Sequence, residues 1–149
     1  MAREKKLKDG FAVVPWVASG KVKDPWEFVD PPAEGEADHQ GPLNKDFFAN
    51  FKAQAWWSIR KRFYNAWRRR QGLTYDKDNI ISINPNMPKD KQRQLVAELS
   101  QAVRKETTAG KMVIDKSPNG ARSPNAADSV IIASFPADQA MVVSEEAMF

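Results

Sequence analysis

Between Asn44 and Gly72 the chain carries a long helical signature. Phe48, Phe51, Ala55, Ile59, Phe63 and Ala66 recur at steps of three and four, which places them on one face of an α-helix. A stripe of that length must be covered, so the rest of the chain has to supply packing elements. Asn44 is placed to cap the helix, the body spans about residues 45–71, and Gly72 ends it in the left-handed conformation. Trp56 and Trp67 flank the stripe.

The other elements are shorter. Residues 2–8 read as the end of a basic helix closed by Asp9-Gly10, and Phe11 to Val17 as a buried strand. The partners of that strand must come later in the chain or from sequence outside it. Residues 19–42 form a loop punctuated by Pro25, Pro31, Pro32, Gly35, Gly41 and Pro42. At that length a connection is functional, mobile or both, and Trp26 and Phe28 are placed to pin its first part. Ile80 to Ile83 reads as a short strand and Asn84-Pro85-Asn86 as a turn. A helix over about 88–104 turns Leu95, Val96 and Leu99 inward, with Pro88 at its first position. A turn at 107–110 leads to a strand at Met112–Ile114. A closing helix runs from Pro124 to about Phe135 and stops at Pro136. Residues 137–149 show no pattern and read as a loose tail. The fold class is α/β, one domain over residues 1–136 followed by the tail.

With 149 residues, 28% charged and 42% hydrophobic, this is the composition of a globular domain with a core. Cysteine is absent, which excludes disulfides and Cys-based zinc sites. No apolar run is long enough to span a membrane, and Met1 to Lys6 lacks the apolar stretch of a signal peptide. A cytoplasmic location is expected.

The positive charge is concentrated. Residues 43–72 hold eight Lys or Arg and one acid, while the segments on either side are slightly acidic. Arg60, Lys61, Arg62, Arg68, Arg69 and Arg70 share the helix with Trp56, Trp57, Phe63, Tyr64 and Trp67. Arginines neutralise phosphates and exposed rings stack on bases. Arginine at a helix C-terminus also suits the helix dipole, so two readings stand side by side: a nucleic-acid face and a solvated helix end.

Asp128 lies just after Ser123-Pro124-Asn125, in the first turns of the closing helix. A carboxylate there either complements the helix dipole or ligates a metal. Asp115, beside Lys116 at a strand end, reads as a turn residue paired with lysine. His39 is the one histidine, in the acidic loop. No Ser-His-Asp set, phosphate-cradling glycine loop or zinc spacing is present.

Three blocks carry a resemblance: Asn44 through Trp57 continued by Ile59 to Phe63, the link Glu98-Leu99-Ser100, and Gly110 to Lys116 followed by Ser123 to Val130. In order and spacing they resemble the large subunit of tailed-phage terminases, over residues 11–135 or so. The resemblance implies part of an RNase H-like nuclease domain, with short strands and long helices, from a motor that packages viral DNA. It implies a nuclease that cuts concatemeric double-stranded DNA with Mg²⁺ or Mn²⁺. The partners it implies are the small terminase subunit and the portal of the procapsid, in the cytoplasm of a bacterial host. Asp128 matches the family's last metal-binding acid. The family's first two metal-binding carboxylates lie on strands that precede the segment matched by Phe11–Val17, and neither they nor the ATPase have a counterpart here. The expectation is a C-terminal part of the nuclease domain, unable to cut DNA efficiently alone. Arg60, Arg62, Arg68, Arg69 and Arg70 are the expected DNA contacts. The alternatives are a non-catalytic nucleic-acid-binding module built on helix 45–71, or a structural remnant that binds nothing.

Overall fold

The computed structural model describes residues 10–13, 15–29, 41–135 and 141–144. It divides into two compact units, residues 1–17 with 136–149, and residues 18–135.

In the first unit, β1 (Gly10–Val13) pairs antiparallel with β4 (Met141–Ser144), with Gly10 opposite Ser144 and Val13 opposite Met141. The early strand thus finds its partner late in the chain, as its isolation requires. The partner lies in the stretch read as a loose tail, so that part of the tail is a strand. The expected helix at 2–8 lies outside the described residues.

The second unit contains α1 (Asn44–Phe47), α2 (Phe51–Arg70), α3 (Lys89–Gln101), β2 (Val103–Glu106), β3 (Met112–Asp115) and α4 (Asn125–Ser134). The long helix expected from Asn44 is therefore broken. Phe48 forms a parallel bridge with Met112, and the Ala49 N–H donates to the Met112 carbonyl at 2.9 Å. Those bonds to β3 hold residues 48–50 out of the helix. Asn50 is the real cap of α2: its backbone is extended and its side chain accepts from the Ala53 N–H at 2.9 Å. The Phe51 and Lys52 N–H groups donate to the Gly20 and Ala18 carbonyls, so the first turn leaves none of these donors open.

Asn44 has a different task from the one expected. It is buried, and its side chain donates to the Asp24 carbonyl at 2.9 Å. Gln54 clasps the backbone of Lys23 from both sides, accepting at 2.6 Å and donating at 2.8 Å. These bonds fasten residues 18–29 to the helices. Phe28 helps through a bridge to Leu43. Trp26 is 72% exposed, with the Lys45 ammonium 3.3 Å from its ring centroid. Val29 goes inward instead, in a cluster with Phe48, Ala53 and Met112. Residues 30–40 and His39 lie outside the described residues.

Ile80 to Ile83 is no strand: its backbone joins no ladder. Helix α3 ends three residues earlier than expected, and β2 follows, antiparallel to β3 with Val103 opposite Asp115 and Glu106 opposite Met112. All four β2 residues are exposed, so no apolar alternation marks the strand in the sequence. Thr107 to Gly110 is the expected turn, with Gly110 at φ 73°. In α3, Leu95 is buried as expected and Val96 is exposed, because one residue turns the helix by about 100°.

Candidate functional site

β3 delivers Asp115 and Lys116 to the mouth of α4. Asp115 accepts from Lys105 Nζ at 2.7 Å and from the Ser117 N–H at 3.1 Å. The Lys105 hydrogen bond, with the turn N–H, holds its carboxyl below the usual aspartate range. It is the lysine-paired turn residue the sequence suggested, but its partner is Lys105, two residues along β2 from the position opposite it, and not its neighbour.

Lys116 reaches the other way. Its Nζ is hydrogen-bonded to Asp128 Oδ2. Both side chains are partly buried, and the Asp128 N–H donates to the Pro124 carbonyl at 2.8 Å. Asp128 therefore stands in the first turn of α4 with a fixed cation beside it. The open N–H groups of α4 go to Glu98 of α3, whose Oε2 accepts from Ala126 at 2.7 Å and Ala127 at 3.0 Å. Desolvation pushes the Glu98 carboxyl up, but the bonds from Gln94 and these two N–H groups prevail and hold it below the usual range. Sequence reasoning placed Glu98 in a matching block without a role. Its acid sits on a helix at a long sequence distance from the end it caps, and no local signal marks that.

Asp128 is the position the resemblance implies as a metal ligand. Among the described residues, no group of three or more His, Cys, Asp or Glu could hold a metal ion, and one oxygen of Asp128 already faces Lys116. These residues do not by themselves fit a two-metal centre.

The arginines do not form one patch. At about 100° per residue, Arg62 and Arg69 point roughly opposite to Arg60, and Arg70 points to a third side. Arg62 is half-buried with a buried Nε that lacks a partner. Arg68 donates from Nε to the Thr74 carbonyl and so fastens the chain after the helix. Arg60 lies over Trp57, its guanidinium carbon 4.8 Å from the ring centroid. Arg69 and Arg70 are exposed. A cavity of about 390 Å³, lined by Trp56, Trp57, Phe63, Leu99 and Met112 among others, lies beside Arg60 and Arg104.

No family model matches the chain, and no curated protein is detectably similar in sequence. Solved structures do match. A lysine-to-alanine variant of the nuclease domain of the large terminase subunit gp2 of bacterial virus Sf6, with manganese and beta-thujaplicinol, aligns at TM-score 0.64 and 25% identity. The alignment covers 80% of this chain and 51% of that one. The same nuclease domain without the substitution aligns at TM-score 0.60 and 26% identity, over 74% of this chain and 52% of its own. A variant solved with calcium gives 0.62 and 26%, over 78% and 49%. The chain spans about half the length of the nuclease domains it matches. Its helices and short strands are those of a partial RNase H-like fold.

Proposed function

We propose that this chain, which shares the nuclease-domain fold of phage terminase large subunits, is a segment of such a domain. It serves metal-dependent endonucleolytic cutting of concatemeric double-stranded DNA in viral packaging. The observation that supports this reading is the structural likeness over 80% of the chain. Manganese and calcium in the similar structures are in keeping with a divalent cation. Within this reading Asp128 contributes one carboxylate to the acidic centre, and Lys116 orients it. With no group of three or more His, Cys, Asp or Glu placed to hold a metal among the described residues, those residues alone do not complete that centre. The small terminase subunit and the procapsid portal are its partners by the same resemblance, in the bacterial cytoplasm. No described helix is long and apolar enough to cross a membrane.

The test uses the pure chain, supercoiled plasmid and Mn²⁺ or Mg²⁺. The expected result is duplex binding that weakens with salt, and no cutting above a metal-free control. Robust cutting by the chain alone defeats the incomplete-centre reading, and no DNA binding at low salt defeats the DNA role. The second reading, a non-catalytic nucleic-acid-binding module on helix 45–71, is favoured by the exposed Arg69 and Arg70. It expects Asp128→Asn to change nothing in the presence of the complete nuclease domain.

A further inference from the structure

We infer that the solvent-facing stripe of α2 formed by Arg60, Tyr64, Trp67 and Arg68 binds unpaired nucleic-acid bases. The inference rests on the DNA reading above and narrows it to single-stranded segments. At about 100° per residue these four side chains fall within roughly one third of the helix circumference. Tyr64 and Trp67 remain 49% and 50% exposed. Their rings stack on each other, with centroids 5.6 Å apart and planes 18° from parallel. The pair therefore already has the near-parallel geometry that an added flat ring can extend.

The charge that α2 itself carries around the rings has one sign, while Asp76 of the following segment lies within electrostatic reach of Lys61. The Arg68 guanidinium carbon lies 5.8 Å from the Tyr64 centroid, and Arg60 lies one turn before Tyr64 on the same side. Asp46 is the one acid between residues 43 and 72, and it lies in α1. No ion pair among the described residues occupies Arg60 or Arg68. A ligand that suits this face has flat π-surfaces joined by anions at close intervals, which is the chemistry of a single-stranded nucleic acid. A duplex offers the same phosphates but keeps its base faces inside its own stack, so the two rings gain nothing from it. Duplex binding falls instead to phosphate contacts, which the exposed Arg69 and Arg70 are placed to make.

The experiment measures binding of the full chain to a thymidine oligonucleotide, to a duplex of equal charge and to an abasic oligonucleotide of the same length, at two salt concentrations. Wild-type protein is expected to bind the thymidine strand several-fold more tightly than the abasic one, with quenching of tryptophan emission. Trp67→Ala and Tyr64→Ala are each expected to weaken thymidine binding roughly tenfold, with duplex binding unchanged. Trp67→Phe is expected to restore most of the loss. Circular dichroism of the variants, altered only at half-exposed rings, is expected to match wild type. Equal binding of the abasic and thymidine strands overturns the inference while leaving the DNA reading intact. Failure to bind any of the three overturns both. A dimer in sedimentation that Trp67→Ala dissociates, with no effect of the oligonucleotides, overturns the inference in favour of a protein contact.

Discussion

Helix α2 has two halves with opposite surroundings. From Phe51 to Ile59 no residue is exposed, and Ala53 and Ala55 are sealed almost completely. From Arg60 to Arg70 only Asn65 is buried. Backbone geometry is continuous across the change, and both halves carry large aromatic residues. The difference lies in what packs on each. The first half meets residues 18–29, β3 and α4: the Phe51 ring packs tilted against Phe135 with centroids 5.2 Å apart, and Gln54 holds the Lys23 backbone. The second half is tied down by side-chain bonds at three places, Lys61 to the Val29 carbonyl, Asn65 to the Asn79 carbonyl and Arg68 to the Thr74 carbonyl. One half of the helix is therefore scaffold, and the other is surface that has kept its rings. Burial, more than residue type, sorts structural aromatics from those free to meet a ligand.

The contrast can be broken by substitution. Trp56→Ala, at a 5% exposed position, is expected to cost about 3–5 kcal/mol in chemical denaturation. A cost near zero there means the scaffold half is not packed as described. Ala53→Leu, where nothing of the side chain is exposed, is expected to cost about 1–3 kcal/mol by overpacking, read from the same curves. Asn50→Ala removes the cap of α2 and is expected to cost about 1 kcal/mol. If thermal melts show no loss, the interruption at 48–50 is held by the Met112 bonds alone. At the other end of the scale, Trp67→Ala is expected to change stability by less than about 0.5 kcal/mol. A large loss there makes the exposed half structural too.

The mouth of α4 sharpens the same point with pH. The Glu98 carboxyl is held below its usual value in the folded chain, so the folded state binds its proton less readily than the unfolded one. Its contribution is present above the ordinary glutamate value of about 4.5 and is lost as pH falls through the lower, folded value. Wild type is expected to lose stability on acidification through that window. Glu98→Gln is expected to start lower at pH 7 and to fall less steeply. Parallel curves for the two proteins show that Glu98 does not cap α4.

Several features are legible in the sequence itself. The stripe from Phe51 to Ile59, the turn at 107–110, the strand at Met112 and the closing helix all announce themselves by local spacing, and the family resemblance rests on the same words. Three things were hidden. The strand Val103–Glu106 has no apolar face, because only its hydrogen bonds to β3 define it. The break at Phe48 comes from a bridge to a residue 64 positions later. The five arginines look like one basic block in the chain, but helical rotation sends them to different sides.

What the sequence determined by itself is periodic: which residues a helix turns to the same side, where turns fall, and where charge accumulates. Those follow from neighbours within a few residues. Tertiary structure alone decided which half of α2 is covered, that Asn44 ties a loop instead of capping, and that Lys116 stands beside Asp128 while Lys105 takes Asp115. Each of these depends on a partner more than nine residues away, and the chain's local spacing carries no record of which distant group will satisfy a buried donor or a carboxylate.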